Sequence, residues 1–110
     1  MAIRQTLLIT GASSGIGKEI ASMAAARGHT VIASAPTTAL LTDIPDNASL
    51  KLRLDICDHD SIAQALQQID QAGMQLTCLV NNAGYAQPGP IELVDDRRLR
   101  QQFEVNVFGT

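Results

Sequence analysis

The sequence has no tryptophan, one tyrosine and two phenylalanines. Aromatic rings therefore cannot carry a core, and whatever is buried must be largely aliphatic. There are only two cysteines, Cys57 in "LDICD" and Cys78 in "LTCLV". No CxxC pair and no histidine stands at metal-ligand spacing from them. That argues against a zinc site or a disulfide framework and for two reduced, buried thiols of a cytoplasmic protein. No apolar run approaches the roughly 18 residues of a membrane-spanning helix. The opening "MAIRQTLLITGASSG" has an apolar run too short for a signal-peptide core. Basic charge is also scarce, with 8 Lys and Arg against 11 Asp and Glu and a net charge of −3. The densest basic group, Arg97, Arg98 and Arg100, stands beside Asp95 and Asp96. A nucleic-acid-binding basic face is accordingly not expected.

What is present is a globular composition, 45% hydrophobic and 17% charged over 110 residues, the size of one domain at most. Short β-type runs alternate with longer helical ones. "TLLIT" (6–10) is apolar throughout, as a strand buried on both faces would be. "GIGKEIASMAAARG" (15–28) reads as a helix with Ile16, Ile20, Met23 and Ala24 on its inner face and Gly28 as its stop. "TVIAS" (30–34) predicts a second strand. A turn-rich stretch follows, with a short helix in "TALLTDI". "LKLRLDI" (50–56) predicts a third strand with Leu50, Leu52, Leu54 and Ile56 on one side. "DHDSIAQALQQIDQAG" (58–73) is an amphipathic helix whose stripe is Ile62, Ala65, Leu66 and Ile69. "LTCLV" (76–80) predicts a fourth strand. After a Pro/Gly-rich loop (84–90), "IELVDDRRLRQQFEVNVFGT" reads as one long helix with Leu93, Leu99, Phe103 and Val107 roughly on one face. Such alternation predicts an α/β fold, a parallel sheet with right-handed crossovers and helices on both faces.

"TGASSGIG" (10–17) sits between the first strand and the first helix. Gly11 permits a tight turn off the strand. Residues 12 to 16 then offer backbone N–H groups and the Ser13 and Ser14 hydroxyls at a helix N-terminus, where unpaired donors and partial positive charge suit a pyrophosphate. Gly15 and Gly17, lacking Cβ atoms, allow close approach of ligand and of helix to strand. A merely flexible turn would use the same residues, but the strand before and helix after are the context a dinucleotide site requires. The spacing is GxxxGxG rather than GxGxxG.

"TGASSGIG", "NNAG" (81–84) and "FEVNVFG" (103–109), in that order, resemble the short-chain dehydrogenase/reductase family. "NNAGYAQPGPIE" is most similar to its retinol and hydroxysteroid dehydrogenase-like branch. The resemblance covers essentially the whole chain, 1–110, as the N-terminal part of a single NAD(P)-binding Rossmann domain of doubly wound, three-layer α/β/α type. It implies an oxidoreductase that moves hydride between a nicotinamide cofactor and a small carbonyl or alcohol substrate. It places Gly11, Ser13, Ser14, Gly15, Ile16 and Gly17 at the cofactor pyrophosphate and ribose, and Asp55 and Ile56 at the adenine. For Asp55 the residues themselves leave open a solvated strand end or a cap for the following helix. Asn81, Ala83 and Gly84 fall at the carboxyl end of the fourth strand, where ligands of open α/β sheets sit. Asn82 is open between cofactor contact and bracing of the sheet. Asn106 corresponds to the family's active-site Asn, whose backbone holds a water linked to the catalytic Lys.

Two departures from the family pattern qualify what the resemblance implies. The family's catalytic Ser and Tyr-x-x-x-Lys do not occur here: the sole tyrosine, Tyr85, has Gly89 four residues on. The expectation is that the chain is a fragment of a longer enzyme and is inactive alone. The alternative is a non-catalytic dinucleotide-binding module or a truncated product. The second strand ends "ASAPTT", with neither the acid that favours NAD nor an Arg that favours NADP. Ser34, Thr37 or Thr38 could hydrogen-bond a 2′-phosphate, which leans the reading towards NADP. Finally, an extended relative acting on sugar nucleotides would more often show GxxGxxG and lack "NNAG". The resemblance implies that the full-length protein is a homo-oligomer formed through the helix around 97–108; composition and spacing, as above, lead to no expected nucleic-acid or membrane partner and no metal.

Overall fold

The computed structural model of the protein describes residues 3–110. Four parallel strands, β1 (Thr6–Ile9), β2 (Thr30–Ala35), β3 (Leu50–Arg53) and β4 (Cys78–Val80), form one sheet in the order β3-β2-β1-β4. Helix α1 (Gly15–Ala26) links β1 to β2, and α2 (His59–Gln71) links β3 to β4. The chain moves outward from β1 to β3, then returns to the opposite side of β1. This reversal opens a crevice at the carboxyl ends of β1 and β4, the place where open α/β sheets bind ligands.

The apolar strand runs follow from burial on both faces. Alternate residues feed two cores. Ile9, Val31, Ala33 and Ala35 pack with Ala12 and Ala21. Leu8, Ile32, Leu52 and Leu54 pack with Ala65 and Ile69 of α2. The small residues Ala33, Ala35, Gly17 and Ala21 are all buried, which lets α1 lie close on the sheet. Helix α2 starts at Asp58, whose carboxylate accepts from the Asp60 and Ser61 N–H groups. Asp58, not Asp55, is therefore the cap.

The described structure differs from the sequence reading beyond the shorter third and fourth strands. On α1, Ile16 and Met23 are exposed, and the inner face is Gly17, Ile20, Ala21 and Ala24. The helix packs on small residues, so its large apolar ones do not mark its buried stripe. On α2, Leu66 is exposed while Ser61 is buried, its Oγ accepting from the Asp55 N–H at 2.9 Å. Both cysteines are free but only half-buried. The long helix after the loop is broken. A 3₁₀ turn (Ile91–Leu93) gives way to extended Val94, and α3 (Asp96–Phe103) begins only after Asp95. The Asp95 carboxylate accepts from the Arg98 N–H, so an acid that weakens a helix interior becomes its N-cap. Beyond Phe103 the backbone widens into a π turn (Glu104–Phe108), closed by a 2.7 Å bond from the Gly109 N–H to the Glu104 carbonyl.

Candidate cofactor site

The turn from β1 into α1 is shaped by its glycines. Gly11 has φ +64°, and a Cβ there would also lie 2.9 Å from the Ala83 Cα. Gly15 has φ +56° with no atom within 4 Å of a Cβ position. The space beside it is open and solvent-facing, not packed core. Gly17 is the opposite case, because a Cβ would collide with the Asn82 side chain and lie 2.5 Å from the Gly11 carbonyl. The Ser14 side chain makes no cap bond to α1, and the first turn carries no acid. The helix therefore presents its N–H donors and partial positive charge to the crevice without an internal partner.

A polar staple ties this turn to β4. The Asn82 side-chain amide donates to the carbonyls of Thr10 and Gly11, both at 3.0 Å. The Thr10 hydroxyl accepts from the N–H groups of Asn82 (3.1 Å) and Ala83 (3.0 Å). Thr10 is buried and Asn82 half-buried, so these bonds are partly shielded from water and hold the two loops together beyond the β1–β4 pairing. Of the two roles open to Asn82, bracing is the one its side-chain amide performs here.

Between these loops lies a cleft of about 600 Å³, within the range of small-molecule sites. Gly11, Ser13, Ser14, Gly15, Ile16, Asp55, Ile56, Ala83 and Gly84 all line it. Gly17 lies beneath, buried in the packing of α1 on the staple. Asn81 stands apart, lining a second cleft on the other side of β4 with Leu66, Leu79 and Gly109. Just past the end of β4 the two neighbours part, Asn82 on the wall of the first cleft and Asn81 on that of the second. Asn82, Leu54, Pro36, Leu40, Tyr85 and Val105 complete the lining, and the sequence gives no sign that Leu40 and Val105 belong to it. Leu40 lies in the 3₁₀ turn Thr38–Asp43, where the short helix was expected. Val105 comes from the π turn, and no local signal ties it to the glycine turn.

One candidate hydroxyl is sequestered inside the sheet. Ser34 is fully buried and donates to the Ile9 carbonyl at 2.9 Å, so it cannot meet a ribose phosphate. Thr37 and Thr38 are exposed. Asp55 turns inward locally, its Oδ1 accepting from the Cys57 N–H at 3.0 Å. Burial first, then the negative charges of Asp55 and Glu104, push the Cys57 thiol above its usual value, so it stays protonated at neutral pH.

Asn106 lies outside the cleft lining, in the π turn, and its side chain clamps the neighbouring loop. Its Oδ1 accepts from the Tyr85 N–H at 3.0 Å, and its Nδ2 donates to the Tyr85 carbonyl at 2.7 Å. A Gly84 Cβ would lie 3.1 Å from the same Oδ1. Asn106 thus fixes Gly84 and Tyr85, which do line the cleft. Among the described residues no group of His, Cys, Asp and Glu is arranged to hold a metal ion, and no helix is long and apolar enough to cross a membrane.

This geometry has relatives. The short chain dehydrogenase family profile matches residues 5–110. "Oxidoreductase calM" of Penicillium decumbens is 38% identical over 111 residues, covering 96% of this chain and 36% of that protein. The "NADPH-dependent 3-dehydrocapnine reductase" of Ornithobacterium rhinotracheale is 38% identical over 94% of this chain and 38% of its own length. A crystal structure of a short-chain dehydrogenase from Streptomyces avermitilis superposes with a TM-score of 0.81 at 40% identity, covering 99% of this chain and 41% of that one. The chain thus spans well under half of each. With a glycine turn feeding an open helix end, a crevice at the sheet's switch point, and relatives matched along nearly all its length, the chain belongs to the short-chain dehydrogenase family.

Proposed function

We propose that the protein carrying this chain is an NAD(P)-dependent oxidoreductase acting on a small carbonyl/alcohol pair, and that residues 1–110 supply the cofactor-binding half of its domain. The observation that carries this reading is the open space over Gly15 beside the unpartnered N-terminus of α1, in a cleft of about 600 Å³. Ser13, Ser14, Gly15 and Ile16 would hold the pyrophosphate through N–H and hydroxyl donors. Asp55, Ile56 and Leu40 would receive the adenine, the carboxylate accepting from its amine and the aliphatic groups covering its face. Ala83, Gly84 and Tyr85 would wall the nicotinamide end. Bound there, the dinucleotide supplies the hydride. The chain's own part is to bind it, exclude water along the apolar wall, and fix its orientation.

Asn106 has the role of holding that wall, its amide engaged by both backbone groups of Tyr85. Proton transfer to the substrate needs an acid/base whose pKa is tuned by a cation. Tyr85, followed by Gly89 at the fourth position, does not provide that pair. The reading therefore assigns the catalytic Ser, Tyr and Lys to sequence outside residues 1–110, and little activity to this stretch alone. Oligomerisation through the exposed Leu99, Phe103 and Val107 belongs to the same proposal. NADP is the favoured cofactor, supported by the absence of an acid at the end of β2 and by the NADPH-dependence in the name of one relative. Calorimetric titration with NADPH and NADH tests the reading. Saturable binding of at least one, at micromolar affinity on the scale of about −8 kcal/mol, is expected. Heat of dilution alone for both would sink it.

A further inference from the structure

The second strand ends without a basic residue, yet the fold brings one to it. Arg53 closes β3 and stands in register with Ala35, the last residue of β2. Its Nε donates to the Pro36 carbonyl at 3.1 Å. Its Nη2 lies 3.8 Å from the Asp58 Oδ2. The guanidinium is therefore held at the carboxyl edge of the sheet, between the turn after β2 and the start of α2. Pro36 and Asp55, on either side of this contact, both line the cleft.

This is the position, about 20 residues past the glycine turn, where dinucleotide folds distinguish a ribose 2′-hydroxyl from a 2′-phosphate. Pro36 has no N–H and can donate nothing to an anion. Thr37 and Thr38 are exposed and uncharged. Arg53 is the cation that the tertiary structure delivers to this corner, and it is only loosely neutralised. Asp58 spends its Oδ1 on capping α2, at 3.0 Å from the Asp60 N–H and 3.3 Å from the Ser61 N–H. The remaining Oδ2 contact is long for an ion pair, and the Arg53 side chain is 39% exposed. With Nε anchored on Pro36, the Nη groups form a preset fork, the geometry in which guanidinium binds phosphate.

We propose that Arg53 is the specificity-determining residue of the cofactor site, selecting a dinucleotide that carries a phosphate monoester on its adenosine ribose. The proposal rests on the dinucleotide reading above. Two small probes separate the two claims: adenosine 2′,5′-bisphosphate and adenosine 5′-monophosphate, titrated into the whole protein that contains this chain. The wild type is expected to bind the bisphosphate about tenfold or more tightly than the monophosphate, as a charge-assisted contact implies. Arg53→Gln should bring the two affinities within about threefold while leaving monophosphate binding nearly unchanged, and Arg53→Lys should fall between. An unchanged ratio in Arg53→Gln, or equal weakening of both probes, would show that Arg53 only braces the Pro36 turn and would overturn the proposal. A wild type without preference would do the same. No saturable binding of either probe would instead overturn the dinucleotide reading. Should Arg53→Gln not fold, the salt dependence of the wild type decides. The preference should shrink several-fold between about 0.05 and about 0.5 M salt, and a flat ratio counts against a charge contact.

Discussion

Residues up to Val80 and residues from Ile91 onward have similar helical and apolar signals in sequence but opposite fates in the fold. In the first region each amphipathic segment finds a sheet face, and Ile9, Val31, Ile32 and Leu52 are almost fully buried. In the second, α3 and the π turn bury no residue, and Leu99, Phe103, Val107 and Phe108 stay exposed. The terminal arm meets the rest at a few points: Asn106 on Tyr85, Val105 at the cleft, and Gly109 against Ile56, where an added Cβ would lie 2.8 Å from the Ile56 Cγ1. The lesson is that helical periodicity identifies an apolar face but not a partner for it. Stability follows the partner.

The contrast can be broken most directly in the core. Ile9→Ala removes a fully buried side chain between sheet and α1 and is expected to cost about 2–5 kcal/mol, read as a shift in the denaturation midpoint. A loss below about 1 kcal/mol would mean that the first region is no better packed than the arm. Next is the staple. Asn82→Ala strands two carbonyls that now accept from it, and about 1–3 kcal/mol should be lost. Nucleotide affinity should fall with it, because the glycine turn is no longer tied to β4. Retained affinity alongside lost stability would show that the turn holds its shape unaided. On the arm, Phe108→Ala should change stability by less than about 0.5 kcal/mol, since its ring is 73% exposed. A cost like that of Ile9→Ala would erase the distinction.

The smallest expected effect tests the join between the two regions. The Cys57 thiol has a raised pKa, partly through the charge of Glu104 in the π turn. Folding therefore favours the protonated thiol, and its contribution to stability is lost as pH rises past the ordinary thiol value and through the raised folded-state one. Iodoacetamide should label Cys57 at mildly alkaline pH more slowly than a free thiol, and Glu104→Gln should speed the labelling modestly by lowering that pKa. An identical rate in the variant would mean that the π turn does not sit beside Cys57 in solution.

How much of this was legible beforehand differs by residue. "TGASSGIG" announced both a turn and an open helix end because glycine spacing acts locally: the positive φ at Gly11 and Gly15 is a property of those residues. The clean alternation in 50–56 placed Leu50, Leu52, Leu54 and Ile56 together, and they do share one core. Helix faces were harder to read. Ile16 and Met23 look like a stripe, but a helix lying close on a sheet needs small residues at the contact, and Gly17 and Ala21 fill that role. The break at Val94 and Asp95 was missed because apolar spacing continued across it, while the capping acid won locally.

The sequence by itself determined the alternation of strands and helices, the glycine turn between β1 and α1 and the absence of an acid after β2, since each depends on neighbours a few positions apart. Only the tertiary structure decided that Asn82 braces while Asn81 faces another cleft, that Ser34 is spent inside the sheet, and that Arg53 reaches Pro36. Those outcomes depend on which strands pair and in what register. Pairing brings together residues 17 to 72 positions apart, and no local pattern encodes that distance.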